Sequence, residues 1–216
     1  MLDSLKQEVW KALKELAQSG LVAGTSGNVS GRDGDCVVIK PSGIDYATLT
    51  PDRLVVVDLA GRRVEGTLKP SVDTLAHLWI YRACGDVGGV VHTHSTYATV
   101  FAVLGRPLPV YVTELADLFG GPIPVSEYIP PADERIGEEF ATRTAAGRYR
   151  ALLMRNHGVF TAGFTPTDAL AAARLVEHSA EVSVWAERLG SPEPLPADEV
   201  RRLHAKYSNG YGQGSR

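Results

Sequence analysis

The sequence predicts a single α/β domain in which a mixed or antiparallel sheet is covered by helices. Three observations point there. Helical and strand-like segments alternate along the chain without the regular βαβ rhythm that a parallel sheet requires. At 216 residues and 44% hydrophobic content, the chain can bury one sizeable core. Its glycines, prolines and polar turn residues are scattered rather than pooled into a linker, so one domain over residues 1–216 is expected, with a flexible tail from about residue 207.

The elements follow in order. Leu2, Leu5, Val9, Leu13 and Leu16 recur at helical spacing ahead of Gly20, which predicts an amphipathic opening helix with a glycine stop. The stretch GTSGNVSGRDGD reads as a Gly/Ser/Thr/Asn segment, and the β-rich runs CVVIK and LVVVDL flank the turn-rich PSGIDYATLTPDR. Leu75, Leu78, Trp79 and Ala83 give a helix over Ser71–Cys84 with Ser71 as its N-cap. GGVVHTH reads as a buried strand, VYVT and ALLMR as short strands, and DERIGEEFATRTA as a surface helix. HGVFTAG follows ALLMR closely enough for a hairpin. Thr165-Pro166 opens a long helix through Leu189, and Asp198–Lys206 forms the last one.

Composition narrows the function. A formal charge of −3 argues against a general nucleic-acid binder, so any phosphate site must be local. Cys36 and Cys84 belong to no CxxC pair, which indicates neither a disulfide framework nor a cysteine-rich zinc site. The first twenty residues hold no signal-peptide core and no later segment reaches membrane-spanning length, so a cytoplasmic protein without a membrane partner is expected.

His92-Thr93-His94 carries the strongest chemical signal, because alternate residues of a strand face one side and two imidazoles there can share an ion. The competing reading is a pair of hydrogen-bonded strand-end histidines. His157, at the end of another strand candidate and beside Gly158, strengthens the metal reading, and Gly158 would let the backbone turn sharply there. Three histidines with one position open match a catalytic zinc arrangement. His77, His178 and His204 lie on helix candidates and read as packing or surface residues. Asp73 either caps a helix or stands near an anion at the helix N-terminus. Asp117 is an acid in the apolar setting ELADLFGG, or a cap for the turn before Gly120. Gly27-Asn28 and Lys40-Pro41-Ser42-Gly43 supply amide, hydroxyl and positive charge suited to an oxyanion.

Together GNVS, VIKPSGIDY, LKPSVDTLAHLWIYRA, GGVVHTHSTYAT, TELADLFGGPIPV, NHGVFTAG and the terminal YGQ resemble the class II aldolase family of sugar-phosphate enzymes, and within it the L-ribulose-5-phosphate 4-epimerase branch. The resemblance runs over nearly the whole chain. It implies a domain with a central, mainly antiparallel sheet, and a homotetramer with active sites between neighbours. It places His92, His94 and His157 as ligands of Zn2+, or of another divalent metal such as Mn2+ or Co2+. Asn28, Lys40, Ser42, Gly43 and Ser71 match its substrate-phosphate pocket. Asp73 falls where the epimerases have aspartate and where fuculose-phosphate-type aldolases carry a glutamate, and Thr113 falls where those aldolases place a tyrosine. Asp117 and Tyr211 match the two acid/base residues of the epimerases, supplied by the adjacent subunit.

The implied activity is interconversion of L-ribulose 5-phosphate and D-xylulose 5-phosphate by retro-aldol cleavage and re-formation. The alternative is an aldolase that cleaves a sugar 1-phosphate such as L-fuculose 1-phosphate to dihydroxyacetone phosphate and an aldehyde. One departure stands out: Val72 occupies the place of the family's second phosphate-binding serine. The intact set of three histidines argues against a purely interacting, adducin-type role.

Overall fold

The computed structural model describes residues 2–209, which form seven strands and seven α-helices in one α/β domain. The strands are β1 (Asn28–Asp33), β2 (Cys36–Ile39), β3 (Val55–Asp58), β4 (Arg63–Glu65), β5 (Gly89–Thr93), β6 (Tyr149–Met154) and β7 (Gly158–Gly163). The helices are α1 (Leu2–Gln18), α2 (Thr74–Ala83), α3 (Thr96–Leu104), α4 (Thr113–Phe119), α5 (Arg135–Arg143), α6 (Pro166–Leu189) and α7 (Ala197–Ser208). They surround one sheet of order β4-β3-β2-β1-β5-β7-β6, in which every neighbouring pair is antiparallel.

Helices cover both faces of the sheet, which is why β2 and β3 read as unbroken apolar runs rather than alternating ones. Val37, Ile39, Val55 and Val57 point into a core shared with Leu78 and Ile80 of α2 and Phe140 of α5. Val38 and Val56 point the other way, against Leu5, Val9 and Leu13 of α1 and Leu170 of α6. A third cluster joins α3, α4, α6 and α7 through Phe101, Leu115, Val176 and Val200.

The opening helix, the β6–β7 hairpin and the two C-terminal helices form where the sequence places them. Thr165 caps α6 by accepting the Asp168 N–H at 3.1 Å, and Pro166 occupies the first turn. Helix α7 runs to Ser208, and the rest of the expected tail lies outside the described residues.

Other readings change. Val110–Thr113 is no strand: Pro107 and Pro109 lack the N–H that a ladder needs, and Thr113 starts α4. Ser71 does not cap α2, which begins three residues later; its carbonyl instead accepts the Thr74 N–H at 3.1 Å. The polar segment before Cys36 contains β1. There Gly31 admits α1 and α6 against the sheet, since a Cβ would stand 2.7 Å from Leu5 and 2.9 Å from Val9 and Pro166. No helix among the described residues is long and apolar enough to cross a membrane.

Candidate metal centre

Strand β5 lies between β1 and β7, so His92 stands opposite Asn28 on one side and Phe160 on the other. His94 follows immediately after the strand's last residue. His157 sits in the β6–β7 turn, which is closed by the His157 N–H donating to Met154 O at 3.0 Å. The left-handed residue of that turn is Asn156, with φ 56°, rather than Gly158. Gly158 matters for space instead: a Cβ there would lie 2.3 Å from Thr93 O and 2.9 Å from the His94 ring.

The three imidazoles touch one another, with ring centroids 4.8 to 5.2 Å apart. One nitrogen from each lies within 4.8 Å of the others, and this is the group of three able to hold a metal ion among the described residues. His92 Nδ1 is 3.0 Å from Val159 O, and a carbonyl only accepts, so the neutral ring keeps its lone pair on Nε2. That lone pair faces His94 Nε2 at 3.0 Å. His157 Nδ1 is buried without a hydrogen-bond partner. Burial holds all three histidines below their ordinary pKa; neighbouring imidazoles add to this at His92 and His157, while Asp73 opposes it at His94 and His157. Neutral, converging, under-bonded imidazoles fit a divalent ion, and three such ligands leave a coordination position open.

The histidines form one end of a pocket of about 380 Å³, also lined by Asn28, Lys40, Ser42, Gly43, Ser71 and Asp73. The structure thus gathers nine of the eleven residues singled out in the sequence. Asp73 occupies the N-cap position of α2 without a side-chain capping bond; its Oδ2 accepts from Asn28 Nδ2 at 2.8 Å, and the same amide donates to Ser71 Oγ at 3.0 Å. Asn28 Oδ1 remains buried and unpartnered. Lys40 is 2% exposed, donates to Thr25 O at 3.0 Å and stands over the Tyr46 ring at 4.8 Å. Burial pushes its ammonium pKa down, Asp45 partly opposing, and among the described residues no carboxylate pairs with it. Val72 lines the same pocket and is 61% exposed.

Asp117 lies on α4, outside the residues that line this pocket, and its carbonyl is 2.9 Å from His204 Nδ1 of α7. Tyr211 lies outside the described residues. His77 is a fully buried packing residue, as expected of it, and His178 is exposed.

Tyr46 escaped the sequence reading although it stands in VIKPSGIDY. Its hydroxyl donates to Ser26 O at 2.8 Å and Gly27 O at 3.1 Å, which holds the pocket loop in place. Gly27, at φ 72°, lies so close to the sheet that a Cβ would meet His92 O at 2.9 Å.

The class II aldolase and adducin N-terminal domain model matches residues 7–184. The chain belongs to this family. Among solved structures it is similar to an L-fuculose 1-phosphate aldolase, with 32% identity and a TM-score of 0.88 over 94% of this chain and 96% of the other. It is also similar to YgbL of Escherichia coli, described as a candidate aldolase, epimerase or decarboxylase, with 28% identity and a TM-score of 0.83 over 94% of this chain and 99% of that one. The l-fuculose-1-phosphate aldolase of Thermus thermophilus matches at 28% identity and a TM-score of 0.74, over 88% and 97% of the two chains. Aldolases and epimerases of this family are enzymes that depend typically on a divalent metal, and its aldolases act on phosphorylated sugars.

Proposed function

We propose that this protein is a cytoplasmic, zinc-dependent sugar-phosphate 4-epimerase that interconverts L-ribulose 5-phosphate and D-xylulose 5-phosphate by breaking and re-forming a C–C bond. The observation that carries the reading is the pairing, in one pocket, of three converging neutral imidazoles with a buried lysine that has no carboxylate partner. His92, His94 and His157 would hold the ion, which when bound supplies a Lewis acid that polarises substrate oxygens and eases C–C cleavage.

The chain's own residues do the rest. Lys40 and the Ser42–Gly43 turn bind the phosphate, with Ser71 beside them. Asn28 spends its N–H groups on Asp73 and Ser71, so it orients the Asp73 carboxylate and leaves Oδ1 to accept from a sugar hydroxyl. Asp73 Oδ1, free of the Asn28 bond, accepts a second substrate hydroxyl. Asp117 and Tyr211 exchange the C4 hydroxyl proton on opposite faces, as inversion requires. Asp117 stands outside the pocket of its own chain, which supports a homotetramer whose sites are completed by a neighbour.

A coupled assay tests this. The zinc-loaded protein should convert L-ribulose 5-phosphate, and Asp117→Asn should lose about a hundredfold while keeping its circular dichroism spectrum. Full activity in the folded variant would sink the epimerase reading. So would a parent protein that ignores this sugar yet releases dihydroxyacetone phosphate from a deoxy-sugar 1-phosphate. That second, aldolase reading is favoured by the 32% identity to an L-fuculose 1-phosphate aldolase. Asp73 and Thr113 weigh against it, since neither the shorter carboxylate nor an aliphatic hydroxyl replaces the glutamate and tyrosine such aldolases use.

A further inference from the structure

Among the described residues, the His94 ring has no hydrogen bond outside the triad. His92 is tied by Nδ1 to Val159 O and stacks on Phe160 at 4.3 Å, and His157 is set by its hairpin turn. His94 is exposed, lies just past β5, and has His92 Nε2 as its hydrogen-bond partner. Its place is therefore decided by the course of the backbone after Thr93, which runs directly into α3.

Helix α3 has no cap of its own. Ser95 occupies the N-cap position with extended backbone, φ −61° and ψ 137°, but its side chain makes no capping bond. The missing acceptors come from α6, about eighty residues on: Glu177 Oε1 accepts the Tyr97 N–H and Oε2 accepts the Ala98 N–H, each at 2.9 Å. A two-pronged carboxylate at that end satisfies two orphan donors and meets the positive pole of the helix.

We propose that Glu177 is a positioning residue for the metal: by clamping the first turn of α3 it holds His94 in line with His92 and His157. This inference rests on the metal reading of the three histidines. Outer groups that orient a ligand change metal affinity by about 10- to 100-fold. Here the outer group acts on the backbone beside the ligand instead of on its ring.

The test measures Zn2+ affinity by competition with a chromophoric chelator, and the visible bands of the Co2+-loaded protein, in Glu177→Ala and in Thr165→Ala. The second variant removes the N-cap of α6, twelve residues ahead of Glu177 on the same helix, and Thr165 contacts none of the three metal-site histidines. Glu177→Ala should bind Zn2+ about 10- to 100-fold more weakly and shift the Co2+ bands. Thr165→Ala should lower the melting temperature while keeping Zn2+ affinity within about twofold of the parent. If Glu177→Ala does not fold, Glu177→Gln keeps one acceptor oxygen and should lose affinity by a smaller factor, about threefold to tenfold. Parent affinity and parent Co2+ bands in a folded Glu177 variant overturn the inference, as does an equal loss in Thr165→Ala. A parent protein that binds no ion overturns the metal reading together with it, whereas a parent and variant that bind alike overturn the clamp alone.

Discussion

Acid should destabilise the metal-free protein through His77. This ring is fully buried on α2, its Nδ1 lies 2.7 Å from Ser30 Oγ, and Ser30 Oγ lies 2.7 Å from the Tyr81 hydroxyl. The Ser30 and Tyr81 hydroxyls serve Nδ1 alone, and Nε2 is left without a partner. Burial pushes its pKa down to about 3, with Asp73 opposing and His92 adding to the shift. In the unfolded chain the pKa is about 6.5. Below that value the unfolded state binds a proton that the folded state refuses, so stability falls with pH until the folded ring protonates as well. At about 1.4 kcal/mol per unit the loss is roughly 2 kcal/mol by pH 5 and approaches 5 kcal/mol near pH 3. Urea unfolding in chelator at pH 7, 6 and 5 reads it, with His77→Asn for comparison. Asparagine keeps a polar atom near the Nδ1 position and removes the titration, at a cost of about 1–3 kcal/mol in lost packing. The parent should lose about 2 kcal/mol more than the variant between pH 7 and 5. His92 is present in both proteins, and its contribution to the His77 shift is part of the difference read. Parallel pH profiles would refute the assignment of His77 as a neutral, proton-refusing group.

Three further outcomes follow from the site. Gly158→Ala places a methyl 2.3 Å from a backbone oxygen and 2.9 Å from the His94 ring, so both the melting temperature and the bound metal found by elemental analysis should drop. Val72→Ser adds a hydroxyl to the pocket's polar lining, and it should lower KM for a phosphorylated substrate by about tenfold with little change in kcat; an unchanged KM would place the phosphate elsewhere. Chelating the metal should weaken binding of inorganic phosphate by about tenfold or more in titration calorimetry at fixed ionic strength, because a nearby dication is lost. Equal affinity with and without the ion would separate the two ends of the pocket.

The parts of the fold legible in the sequence are those whose pattern is local. CVVI and VVVD read as strands because each is buried on both faces, and His92 and His94 read as a pair because they share one strand end. The contact of His157 with that pair is not local: it depends on β7 inserting between β5 and β6, which the spacing does not reveal. Strand β1 is hidden by a polar sequence whose reasons are tertiary, since Asn28 serves the pocket and Gly31 makes room for α1 and α6. Tyr46 and Glu177 escape for a different reason. Both act on backbone atoms, Ser26 O and Gly27 O in one case and the Tyr97 and Ala98 N–H groups in the other. Every residue type carries the carbonyl and all but proline carry the N–H, so no pattern of partners marks such a contact.

Under the proposed function, charge favours a phosphorylated over a free sugar in this pocket. Its histidines are held below their ordinary pKa, chiefly by desolvation, and Lys40 and Asp73 bear opposite formal charges, so the residues alone sum to about zero. The two charges are nevertheless treated differently. Asp73 is held by an amide donor at 2.8 Å, whereas Lys40, equally buried from solvent, has only a carbonyl oxygen and an aromatic face. A buried ammonium satisfied to that extent remains costly, and an anion in the pocket lowers that cost. A divalent ion on the histidines would raise the local charge to about +2, and a phosphate monoester carries about −1.5 to −2 at pH 7. A free sugar would meet the hydroxyl acceptors at Asn28 Oδ1 and Asp73 but leave both cationic centres without a counter-charge. Phosphorylated and free forms of one sugar should therefore differ chiefly in KM, because the phosphate contacts are the same in the bound substrate and in the transition state.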